Sequence, residues 1–111
     1  MKITIATEFS DFLVNRDEFQ GDGTFTGVEF RTQFLAPLEA QDWWKNSSEE
    51  LVLDFDKVDT IGPSWANEVF AYYTDAGRTP TEILKKIKFQ KISPVKLNLI
   101  KTEIAAGYKK T

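Results

Sequence analysis

The chain opens on alternation. Ile3 and Ile5 are separated by Thr4 and preceded by Lys2, the period-two pattern of a half-buried strand. From Phe9 to Gly27 the pattern loses its period. An apolar cluster, Phe12-Leu13-Val14, is followed by the turn-rich run Gln20-Gly21-Asp22-Gly23-Thr24. Asp22-Gly23 is a hairpin-grade turn signal, so a short second strand or hairpin is expected here. Between Gly27 and about Gln41 the period becomes helical, with Phe30, Phe34, Leu35 and Leu38 on one arc at about 100° per residue. Arg31 falls inside that arc, where an unpaired charge is costly. It is expected to reach the rim along its aliphatic stem or to pair with a carboxylate, with Glu8, Asp54, Asp56 and Asp59 as candidates. Pro37 should kink the helix or mark its last turn, and Trp43-Trp44-Lys45-Asn46-Ser47-Ser48 reads as a loop with a partly covered aromatic pair.

Leu51-Val52-Leu53-Asp54-Phe55 is the strongest strand signal, and its nearly continuous apolar character suits a central position. Gly62-Pro63 breaks the chain before a helix from Ser64 to about Ala76. Trp65, Ala66, Val69, Phe70, Tyr73 and Ala76 lie on one side of it; Asn67, Glu68, Thr74 and Asp75 lie on the other. Gly77 suits the position after a helix end. Thr79-Pro80-Thr81-Glu82 supplies an N-cap, a proline at the first helical position and a capping-box glutamate for the next helix. Ile87 to Ile92 alternates as a strand, and Ser93-Pro94 caps a final helix with Leu97, Ile100, Ile104 and Tyr108 on its apolar stripe. Strands alternating with helices imply βαβ units and a mostly parallel sheet. The predicted shared core is Ile3, Ile5, Phe30, Phe34, Leu51, Leu53, Val69, Phe89 and Leu97.

The chain has 111 residues, which suits a single domain spanning residues 1–111. Fifteen aromatic residues (nine Phe, three Trp, three Tyr) supply core area. Fourteen basic against 17 acidic side chains leave a net charge of −3, which argues against a nucleic-acid or anionic-membrane binder. With no cysteine and no histidine, disulfides, thiol nucleophiles and the commonest general base and metal ligand are absent. No metal centre or cofactor is expected. Met1 to Ile5 lacks the apolar run of a signal peptide, and no stretch reaches the ~18 apolar residues of a membrane span. A cytoplasmic location is expected.

Three constellations bear on chemistry. The apolar strand ending Asp54-Phe55-Asp56-Lys57-Val58 matches the first motif of haloacid-dehalogenase-like phosphotransferases, in which one Asp attacks phosphorus and the next acts as acid and base near magnesium. The same acids, with Asp59, also suit the polar end of a strand. Gly21-Asp22-Gly23 with Gly27 lacks the phosphate-loop pattern, and turns account for its glycines. Gly62-Pro63-Ser64 directly precedes a helix, so Ser64 is expected to be its N-cap. A hydroxyl there is also a favourable place for a phosphate.

The run Leu51 to Val69, with Ser64-Trp65-Ala66-Asn67-Glu68 at its centre, resembles the middle of a STAS domain, the fold of bacterial anti-sigma-factor antagonists. It is closest to a small STAS-like family of unknown function. Thr26-Gly27-Val28-Glu29-Phe30-Arg31 with Pro37-Leu38 upstream, and Ile87-Lys88-Phe89 with Ser93-Pro94-Val95 downstream, agree with it over about residues 16–105. The resemblance implies an α/β sandwich with a mixed or mostly parallel sheet and helices mainly on one face. It also implies a non-enzymatic, cytoplasmic, regulatory protein-interaction module. In the antagonists an Asp-Ser-Ser-Gly turn carries a serine phosphorylated by a histidine-kinase-like ATPase. On this chain that serine matches Ser64, with Gly62, Pro63 and Trp65 at the flanking positions and Asn67 and Glu68 beyond. Two alternatives remain: a magnesium-dependent phosphotransfer domain using Asp54 and Asp56, and an anion or small-ligand sensor built on the 20–27 loop and the Ser64 turn.

Overall fold

The computed structural model describes residues 1–16, 25–45 and 50–109. Strand β1, Lys2–Thr4, passes directly into a single helical turn, α1, Ile5–Glu8. Strand β2 is Phe12–Leu13. Helix α2 then runs without a break through Gly27–Phe30, a π turn at Arg31–Leu35 and Ala36–Glu39. After β3, Leu51–Asp54, and β4, Thr60–Ile61, helix α3 has the same construction: Pro63–Ala66, a π turn at Asn67–Ala71, and Tyr72–Asp75. Helix α4, Pro80–Lys86, leads into β5, Ile87–Gln90, and α5, Pro94–Ala106, follows.

The predicted alternation therefore yields a parallel α/β fold. Strands β1, β3 and β5 form one sheet with β3 in the middle, and β2 pairs with β4 in a second, two-residue ladder. Ile3, Leu53 and Phe89 lie in one register row and point into the core; Lys2, Val52 and Lys88 form the next row. Lys2, Lys88 and Gln90 are exposed, so the helices cover one face of this sheet and solvent the other. That arrangement is unusual for parallel strands, and the lysines on the outer row make it tolerable.

Local signals account for most element ends. Thr26 Oγ1 accepts the Glu29 N–H and Ser93 Oγ accepts the Lys96 N–H. Thr79 and Glu82 close a full capping box, in which the Thr79 N–H holds the Glu82 carboxyl below its ordinary range. Gly77, at φ 93°, supplies the left-handed turn that stops α3.

Several expectations need correction. The Ile3–Ile5 strand stops at Thr4 because Glu8 Oε2 accepts the Thr4 N–H at 2.7 Å and starts α1. Phe12–Leu13 is a strand, as the apolar cluster suggested, but its partner is Thr60–Ile61 across the chain rather than a local hairpin. The Asp22-Gly23 turn and the Gly21-Asp22-Gly23 cradle lie outside the described residues, as do Asn46, Ser47 and Ser48. Trp43 is buried in the core, while Trp44 is half-buried. The core contains Ile3, Ile5, Phe30, Leu51, Leu53 and Val69, with Phe34 and Phe89 packed against it. Leu97 is outside it, because the buried positions of α5 are Ile100, Glu103 and Ile104, and its first turn, with Val95 79% exposed, lies in solvent. Among the described residues no helix is long and apolar enough to cross a membrane.

Candidate functional site

Ser64 sits where β4 turns into α3. Gly62 donates its N–H to the Leu13 carbonyl at 2.7 Å and lies alongside Val14. Gly62, not Ser64, is the N-cap, and no side chain caps this helix. The reason is Pro63, whose fixed φ and missing N–H suit the first helical position. It starts the helix one residue earlier than the hydroxyl signal suggested, and Ser64 falls inside the first turn. Pro63 is exposed, Ser64 is half-buried, and Trp65 is fully buried. The Trp65 ring lies among Phe30 and Phe70, with centroids 5.1 and 6.0 Å away, and its buried Nε1 has no hydrogen-bond partner among the described residues.

One turn further along, the structure departs most from the amphipathic reading. Asn67 and Glu68, assigned to the solvent side, are 0% and 3% exposed. Helix α3 meets β5 through Phe70 and Phe89 and is flanked by α2 and α5, so the Asn67 and Glu68 part of its polar side is interior, while Asp75 stays in solvent. Glu68 holds the cluster together. Arg16 Nη1 and the Tyr108 hydroxyl donate to its Oε1 at 3.2 and 2.9 Å, and Arg31 donates to Oε2 from Nε and Nη2 at 3.2 and 3.1 Å. Arg31 also stacks on Tyr72 at 3.7 Å. Its carboxylate partner is therefore Glu68, and none of Glu8, Asp54, Asp56 or Asp59.

Asn67 uses its full hydrogen-bonding capacity. Its Oδ1 accepts from Arg16 Nη2 at 2.9 Å and from the Lys109 N–H at 2.8 Å. Its Nδ2 donates to Glu103 Oε1 and to the Gly107 carbonyl at 3.1 and 2.9 Å. Burial and the Glu68 carboxylate raise the Tyr108 phenol above its ordinary value. Gly27 makes the arrangement possible, since a Cβ there would sit 2.9 Å from Glu68 Cβ. One signal in the sequence pointed this way. Arg31 lies on an apolar arc, which left it either reaching the rim or pairing with a carboxylate, and the structure takes the second course; nothing in the clean amphipathic pattern of α3 marked Asn67 and Glu68 as interior.

The acidic residues do not assemble. Asp54 is buried, accepts the Asp56 N–H at 2.8 Å and pairs with Lys2 at 3.5 Å. The Asp56 N–H, ahead of Lys91 and Lys2, holds its carboxyl below the usual range. Asp56 and Asp59 are exposed, and Lys57 takes a left-handed φ of 66° in the turn between them. Among the described residues no group of three or more acidic side chains could hold a metal ion. A cleft of about 290 Å³ lies between β1 and α2, lined by Lys2, Glu8, Phe34 and Leu38 among others. Another of about 250 Å³ lies beside Trp44 and Arg78.

Residues 26–96, from the cap of α2 to the first turns of α5, match the family described as a STAS-like domain of unknown function (DUF4325). The chain belongs to this family. No curated protein and no solved structure matches it. The STAS-like match takes in the Ser64 turn, Arg31, Asn67 and Glu68. Arg16, Glu103, Gly107, Tyr108 and Lys109, which complete the polar cluster, lie outside it.

Proposed function

We propose that this STAS-like domain is a non-enzymatic, cytoplasmic regulatory module that binds a protein partner through the Ser64 turn and is switched by phosphorylation there. The partner class that the resemblance implies is a histidine-kinase-like ATPase. The observation that carries the reading is the presentation of Ser64. Its hydroxyl is not spent on capping the helix, and the residue is only half-buried beside exposed Pro63, while Gly62 and Trp65 pin the turn on both sides. A phosphate in the first turn of α3 adds about −1.5 to −2 charge where the free N–H groups of the helix favour it. The core is then undisturbed, and the change acts at the surface a partner meets.

Phosphosite mapping on protein isolated from its native host tests the switch: phosphate on Ser64 supports it, and an unmodified Ser64 under all growth conditions refutes it. With the partner in hand, Ser64→Asp is expected to weaken binding with the fold intact, and Ser64→Ala to bind constitutively. Equal binding by wild type and both variants refutes the Ser64 turn as the contact.

A further inference from the structure

Residues 107–109 follow α5 as a strap laid across the polar side of α3. Four of the bonds holding it read it as a peptide is read. The Asn67 carboxamide grips its backbone on both sides of Tyr108, donating to the Gly107 carbonyl at 2.9 Å and accepting from the Lys109 N–H at 2.8 Å. Thr74 Oγ1 accepts the Tyr108 N–H at 3.0 Å, and Glu68 Oε1 accepts the Tyr108 hydroxyl at 2.9 Å. The phenol ring stands edge-on to Tyr72 at 5.3 Å, and Lys109 Nζ pairs with Glu103 at 3.5 Å. Main-chain hydrogen bonds for affinity, with a seat for a side chain for specificity, are the elements by which folded domains recognise extended segments.

We propose that the notch formed by Asn67, Glu68, Tyr72, Thr74 and Glu103 is a docking site for an extended segment of a partner protein with the chemistry small residue–Tyr–Lys or Arg, and that the strap occupies it in cis. The strap is suited to leave. It is held by hydrogen bonds, the pair of exposed Lys109 with Glu103 and one half-buried ring that meets Tyr72 and Arg16, so lifting it uncovers little apolar surface, and few buried apolar contacts are the mark of a segment at the low end of local stability. What it uncovers is mainly polar and charged, while Arg16 and Arg31 keep their bonds to Glu68. The site lies one turn beyond Ser64 on α3 and does not depend on phosphorylation there.

The test uses the full chain and the peptide acetyl-Ala-Gly-Tyr-Lys-amide, followed by NMR at the Asn67 side-chain amide and the Thr74 backbone. Gly107 has φ 85°, which proline cannot adopt, and donates its N–H to Glu103 and Ile104. Gly107→Pro therefore redirects the strap and leaves the five side chains of the notch in place. A site occupied in cis binds in trans in proportion to its open fraction, so the peptide should bind Gly107→Pro on the order of tenfold or more tighter than wild type. Tyr108→Ala, which removes the anchor alone, should show the same direction should Gly107→Pro not fold. A peptide methylated on the lysine amide nitrogen cannot donate to Asn67 and should bind at least about tenfold more weakly. Folded variants that show no shifts at Asn67, or equal binding of the methylated peptide, overturn the proposal. Concentration-dependent dimers of the wild type overturn the assignment to a partner's segment, because they point to exchange of straps between copies.

Discussion

Glu68→Gln tests the polar cluster most directly. The substitution keeps the shape of the side chain but removes its charge, and it replaces one acceptor oxygen by a donating amide nitrogen. Both carboxylate oxygens face donors: Arg16 and Tyr108 on one side, Arg31 twice on the other. Whichever way the Gln amide turns, its NH2 opposes N–H or O–H donors, and two guanidiniums lose their counter-charge. The Arg16 and Arg31 side chains are only 5% and 13% exposed, so water compensates little. Stranding a buried ion-pair partner typically costs about 3–5 kcal/mol, a large share of the roughly 5–15 kcal/mol that holds a domain together. Arg31→Met should cost less, about 1–3 kcal/mol, because Glu68 keeps Arg16 and Tyr108 and loses only charge-assisted bonds to one side. Urea unfolding followed by tryptophan fluorescence reads both. The control is Glu50→Gln, whose partner Lys88 lies 3.6 Å away with both side chains about half exposed; its loss should stay below about 1 kcal/mol. A Glu68→Gln loss below about 1 kcal/mol, or one no larger than the control, would refute the claim that the cluster is dry and structurally required.

Leu53→Ala, at a fully buried position on the central strand, should cost about 2–5 kcal/mol in the same assay; a loss near zero would move β3 to an edge. Gly27→Ala places a methyl 2.9 Å from Glu68 Cβ, and overpacking of this kind should cost about 1–3 kcal/mol. Ser64→Ala should leave stability within about 0.5 kcal/mol of wild type, because Ser64 caps nothing; a larger loss would restore its capping role. The Tyr108 phenol is raised in the folded state by burial and by Glu68. Its contribution is therefore complete below its unfolded value of about 10 and is lost as pH rises above that. Tyr73 shifts in the same direction, so the readout is the difference between wild type and Tyr108→Phe, which should narrow as pH rises past 10.

What the sequence by itself determined is mostly local. The capping residues Thr79, Glu82 and Ser93, the glycine stop at Gly77 and the apolar run Leu51 to Phe55 each act over a few residues, and the structure has them where the pattern put them. The order of strands and helices followed from the change of period, and with it the parallel sheet. Two-residue strands carry no period to read, so the pairing of Phe12–Leu13 with Thr60–Ile61 emerges only when distant segments meet. A four-residue turn such as Ile5–Glu8 hides in a strand pattern, because one glutamate accepting one N–H decides it. The polar cluster shows the limit most plainly. An amphipathic helix announces which side is polar, but what lies against that side is a property of the other elements. Helix α5, Arg16 and Arg31 all arrive at Asn67 and Glu68 from distances of 36 to 52 residues along the chain. A charge on an apolar arc said that Arg31 must reach the rim or find an acid; only the packing of α2, α3 and α5 supplied Glu68.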